Sequence, residues 1–90
     1  MIERLSAVTL ATADMARAVR FYTALGFELR HGDEASDFAT FVIDDCYLNL
    51  ALRPGYAPGP PWGRIIFYVS DVDAVYERAL VQGLRPSTTP

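Results

Sequence analysis

The chain states one pattern twice. Displaced by 57 positions, Val8-Thr9-Leu10 falls on Ile65-Ile66-Phe67, Asp14 falls on Asp71, and Gly26 falls on Gly83. Each copy reads as an apolar strand, a turn marked by Asp, a helix with an apolar stripe, a closing Gly and more extended chain. A repeat of this period denotes two stacked copies of one supersecondary unit, neither of which buries its apolar face alone. Paired units of this kind make a cleft, and a functional site belongs where the halves face each other.

In the first copy, residues 5–11 alternate, with Val8 and Leu10 on one face and Ala7, Thr9 and Ala11 on the other. That is the pattern of a half-buried strand. Thr12 or Asp14 is placed to cap the helix that follows by accepting a hydrogen bond from its free N–H groups. Met15, Ala18, Val19, Tyr22 and Leu25 recur at helical spacing, so one helix face should pack on a sheet. Gly26 stands where a left-handed cap belongs. Residues 27–30, 38–43 and 46–52 are predicted strands, with a tight turn at Asp44-Asp45 between the last two. His31, the single histidine, follows the first of these strands and reads as a polar turn position, with a general base as the sharper alternative. Cys46 reads as a small apolar filler.

Residues 53–61 hold four Pro and two Gly and are predicted to be a semi-rigid linker. The second copy opens with a predicted strand at 64–69. Ser70 and Asp73 fit a capping box, and Val72, Val75, Tyr76, Ala79 and Leu80 form the inward stripe of a second helix ending at Gly83. Residues 84–90 read as the start of another strand. Position 90 corresponds to Asp33 in the first copy, so partners of the strands at 38–43 and 46–52 would lie near positions 95–109, past the last residue. Unpaired backbone at a sheet edge invites association. The expectation is therefore a longer natural chain, or else another chain that covers this edge. The predicted organisation is one domain over 1–90: module one at 1–52, linker at 53–61 and a partial module two at 62–90.

Composition narrows the class. A content of 51% hydrophobic and 21% charged residues is that of a soluble globular domain. The net charge is −3, Lys is absent and all eight basic residues are Arg without a basic run, so neither nucleic acid nor an anionic membrane is an expected partner. No apolar stretch approaches the ~20 residues of a membrane helix. Residues 1–4 lack the layout of a signal peptide. One cysteine makes no internal disulfide and no Cys-rich zinc module. A cytoplasmic protein is the expectation.

The run from Val8 through Met15, with Phe21-Tyr22-Thr23-Ala24-Leu25-Gly26-Phe27, resembles the opening module of the vicinal oxygen chelate superfamily. That group holds glyoxalase I, bleomycin-resistance proteins, extradiol dioxygenases and fosfomycin-resistance enzymes. Residues 62–73, from Trp62-Gly63-Arg64 to Val72-Asp73, resemble the opening of that family's second module. The resemblance implies an α+β fold of paired β-α-β-β-β modules curling around a cleft, often within a homodimer. A fold shared by so many reactions does not choose among them.

The resemblance also implies where a metal would sit. Metal-dependent members place His, Glu or Gln on the first and last strands of each module, leaving an open position for substrate oxygen. Carried onto this chain, those positions are Ala7, Asn49 and Arg64, with a fourth beyond the last residue. Ala7 and Arg64 are themselves 57 apart, hence equivalent in the repeat. Ala has no donor atom, Asn is a weak neutral donor, and a guanidinium repels a cation. No metal cofactor is therefore expected.

With these registers the cleft face would carry Ala7, Thr9, Ala11, Tyr47, Asn49, Ala51, Arg64, Ile66 and Tyr68, while Val8, Leu10, Leu48, Leu50, Ile65, Phe67 and Val69 pack beneath the helices. The candidate ligand-binding residues are Arg64, Asn49, Tyr47, Tyr68, Trp62 and Thr9. Arg64 offers a fork of donors to a carboxylate or phosphate, or else pairs with an acid across the cleft or dimer seam. Tyr47 and Tyr68 read first as core residues and otherwise as flat walls of a pocket. Trp62 covers the mouth or anchors the linker. The expected function is that of a homodimeric protein binding a small organic ligand, anionic or aromatic, in a metal-free cleft. The alternative is a metal-dependent lyase, isomerase or dioxygenase with unrecognised ligands. Whether there is turnover, and on what molecule, is left open by the residues.

Overall fold

The structure is a computed structural model that describes residues 1–59 and 65–86. The chain divides into two compact units, Met1–Tyr56 and Ala57–Pro90, and the division falls inside the Pro/Gly-rich segment.

The first unit is a complete β-α-β-β-β module. Strand β1 (Ala7–Thr12) leads to helix α1 (Met15–Leu25), then to β2 (Glu28–His31), β3 (Phe38–Ile43) and β4 (Cys46–Leu52). The sheet order is β1-β4-β3-β2. β4 lies parallel to β1 and antiparallel to β3, and β3 lies antiparallel to β2. β1 therefore returns beside the last strand rather than the next one, because the α1 crossover carries the chain over one face. The turn at Asp44-Asp45 has Asp44 at φ 50°.

Helix α1 starts and stops where its sequence tells it to. Asp14 is extended, and its Oδ1 accepts a hydrogen bond from the Arg17 N–H at 3.0 Å. Thr12 Oγ1 accepts from the Asp14 N–H at 3.2 Å instead of capping the helix itself. At the far end the Gly26 N–H donates to Thr23 O and the Phe27 N–H to Tyr22 O, each at 3.0 Å. This is the Schellman pattern, and its usual apolar contact is present as Tyr22 against Phe27, with ring centroids 5.3 Å apart. Removing the cap by Asp14→Ala should lower stability by about 1 kcal/mol, read as a shifted urea midpoint with unchanged slope.

α1 covers one face of the sheet. Met15 and Val19 on the helix, with Ala39, Phe41, Leu48 and Leu50 on β3 and β4, form the buried core, flanked by Val8, Leu10, Ala18, Tyr22, Phe27, Ile43 and Leu52. The strand alternation puts every one of these sheet residues on the same side. Full burial of a side chain such as Phe41, Leu48 or Leu50 contributes roughly 1.5–3 kcal/mol. Burial also pushes the Tyr22 phenol above its usual pKa, since the charged form is poorly solvated there.

The second unit keeps the helix of the repeat but not its strand. Helix α2 spans Val72–Val81, and Asp71 Oδ1 accepts from the Ala74 N–H at 3.0 Å, the same cap that Asp14 makes one repeat earlier. The cap is thus Asp71 and not the expected Ser70, whose capping box does not form. The Gly83 N–H donates to Leu80 O and the Leu84 N–H to Ala79 O, repeating the Schellman end of α1. Residues 65–69 belong to no strand, and neither do residues 84–86, contrary to expectation. Ile65 and Phe67, expected beneath the helices, are exposed. β1 is a strand because β4 pairs with it along its length. Residues 65–69 enter no sheet ladder among the described residues, and apolar sequence alone does not make a strand.

Candidate functional site

The face of the first unit's sheet that α1 leaves open is built from three rows, each set by strand register. Ala7, Tyr47, Val42 and Glu28 lie side by side across β1, β4, β3 and β2. Thr9, Asn49, Thr40 and His31 form the next row. Ala11, Ala51 and Phe38 form the third. Directly paired residues of a sheet share a face, so these residues point away from the core.

The middle row is tied together by its side chains. Thr40 Oγ1 donates to Asn49 Oδ1 at 2.8 Å, and Asn49 Nδ2 donates to Thr9 Oγ1 at 3.2 Å. Asn49 is thereby fixed from both sides. One Nδ2 hydrogen of Asn49 and the hydroxyl hydrogen of Thr9 have no partner among the described residues, so the centre of the face offers donors. On either side of the row stand exposed aromatic rings, Tyr47 at 40% and Phe38 at 44% of full exposure.

Of the six residues singled out from sequence, the structure brings three together: Thr9, Asn49 and Tyr47 are neighbours on this face. Tyr68 lies in the second unit, within residues 65–69 that form no strand, and it is exposed. Arg64 and Trp62 lie outside the described residues. Phe38 and Thr40 were not singled out. Their period-two placement on the residues 38–43 strand was readable, but nothing local says that this strand sits beside β4.

His31 is not the turn residue expected. It closes β2 and is the ladder partner of Thr40. Regular alternation from Glu28 opposite Val42 and Leu29 opposite Phe41 would give Thr40 to Arg30 and send His31 to the helix side. Instead the register slips between Leu29 and His31, so Arg30 is an extra residue and His31 takes the open-face position. Bulges re-aim side chains in this way. The next residue, Gly32, sits at φ +78°, and a Cβ there would lie 2.4 Å from Phe38 O and 3.0 Å from Ala39 Cα.

Family-type metal positions can be tested on two residues. Ala7 offers no donor, and Asn49 offers one neutral amide oxygen that also accepts from the Thr40 hydroxyl. Among the described residues, no three His, Cys, Asp or Glu side chains come close enough to hold one. Nor, among those residues, is any helix long and apolar enough to cross a membrane.

The profile of the Glyoxalase/Bleomycin resistance protein/Dioxygenase superfamily matches residues 4–90. No curated protein matches the sequence. Among solved structures, the bleomycin resistance determinant encoded on transposon Tn5 aligns with a TM-score of 0.72 at 19% identity, over 98% of this chain and 72% of its own. A bleomycin-binding protein complexed with bleomycin aligns at 0.70 and 19%, over 99% of this chain and 72% of its own. A hypothetical protein from S. aureus aligns at 0.65 and 21%, over 92% of this chain and 72% of its own. At such identities the likeness establishes the fold, an α+β arrangement of the expected kind.

Proposed function

This chain belongs to the glyoxalase/bleomycin resistance protein/dioxygenase superfamily, and we propose that it binds a small, flat organic molecule on the open face of the β1–β4 sheet without a metal. The observation that carries the reading is Asn49, held between Thr40 and Thr9 at the centre of that face, with Tyr47 and Phe38 exposed on either side. Apolar walls around a few fixed polar groups are what small-molecule sites are made of. A structural relative solved with bleomycin bound supports binding over turnover. Bleomycin itself is a poor fit, because a basic drug calls for carboxylates and the three rows hold only Glu28.

Arg64, Tyr68 and Trp62 are kept as proposed ligand-binding residues of the second half of the repeat, Arg64 as the charge that would favour an anion. The protein is proposed to work in the cytoplasm as a pair of identical chains. Titration with benzoate, followed through the Asn49 side-chain amide signal, tests the site. Arg64→Ala should weaken benzoate binding by about 1.5–3 kcal/mol, the range for a charged hydrogen bond. A stoichiometric divalent metal in elemental analysis of the purified protein would overturn the metal-free reading in favour of a family enzyme.

A further inference from the structure

The middle row of the open face does not end at Thr40. Its fourth position is His31, and two separate features of the backbone put it there. The extra residue Arg30 turns the imidazole from the helix side to the open side. Gly32, with its left-handed φ and its close approach to the Phe38 carbonyl, then ends the strand at once. The loop that follows is internally braced: the Ala35 N–H and the Ser36 hydroxyl both donate to Asp33 Oδ1, at 2.9 and 3.1 Å. Glu34 pairs with Arg20 of α1 at 2.6 Å.

We infer that His31 is a ligand-contacting residue, and that the row Thr9–Asn49–Thr40–His31 takes an elongated flat organic acid bearing a hydroxyl or carbonyl at its far end. This rests on the proposed binding site and names its ligand class. The carboxylate of such a molecule is received by the free hydrogens of Asn49 Nδ2 and Thr9 Oγ1. Its rings lie across Thr40 between Tyr47 and Phe38. From Asn49 to His31 is two inter-strand steps, roughly 10 Å, about the length of two linked rings with a substituent. The far group is a neutral hydroxyl or carbonyl, which needs one hydrogen bond and no counter-charge from the site. An imidazole always presents at least one N–H or one lone pair to such a group.

The test compares 4′-hydroxybiphenyl-4-carboxylate with biphenyl-4-carboxylate, which lacks only the hydroxyl, by NMR titration of the full chain. The hydroxylated probe should bind about fivefold more tightly, the worth of one ordinary hydrogen bond. In His31→Ala the two affinities should become equal. His31→Gln, which keeps a donor and an acceptor, should restore part of the difference. Equal affinities in the native protein, or a difference that survives His31→Ala, overturn the role of His31 while the binding site stands. If neither probe moves the Asn49 side-chain signal, the binding site itself fails and this inference fails with it.

Discussion

Phe41→Ala is expected to remove about 3–5 kcal/mol of stability, enough to leave the first unit largely unfolded at 25 °C. Phe41, on β3, is wholly buried, with its ring 5.7 Å from Tyr22 of α1 and 6.1 Å from Phe27. Truncation removes the transfer free energy of the ring and leaves a cavity walled by two other rings. Those rings are anchored by the Schellman end of α1 and have little freedom to collapse inward. A unit of this size has few other large buried side chains, since only Leu48 and Leu50 are as fully enclosed. The check is the cooperative thermal transition followed by circular dichroism. A midpoint within a few degrees of the parent would mean that the three-ring cluster does not hold the module together.

Gly32→Ala should be nearly as damaging, at about 2–5 kcal/mol, although the residue touches no part of the core. Two effects add. An L-residue in the left-handed region is strained by about 1–2 kcal/mol. A methyl group there would also overlap the Phe38 carbonyl and the Ala39 backbone, which belong to β3 and cannot swing aside. Relief would require the β2–β3 connection to open, carrying His31 away from Thr40. Gly32→Ala should therefore disturb the His31 and Thr40 backbone signals while leaving those of the β1–β4 pair in place. Should the variant prove as stable as the parent, with His31 unmoved, the close approach at Gly32 is not a constraint.

How much of this was legible beforehand depends on the distance over which each feature is decided. Gly26 and Gly83 mark helix ends in both copies because such an end is settled by three or four neighbouring residues, whereas the choice of Asp71 over Ser70 as the cap of α2 was not foreseen. Val8, Leu10, Leu48 and Leu50 were placed on the helix side, and Thr9 and Asn49 opposite, because side chains alternate with period two whatever the partner strand. Residues 65–69 show the reverse case. Their run Ile65-Ile66-Phe67-Tyr68-Val69 is more continuously apolar than β1, yet no strand forms, since strand pairing is a relation between segments and not a property of one.

The amino-acid order alone determined the first module's elements, the Gly26 end of α1 and the two faces of β1 and β4. Tertiary structure decided the rest: that Thr9 meets Asn49 across forty positions, that Thr40 completes their hydrogen bonds, and that one extra residue at Arg30 delivers His31 to the same row. The division follows from the physics of sheets. Period is a property of a single strand, whereas register is a relation between strands, and a slip of one residue exchanges the faces of everything beyond it.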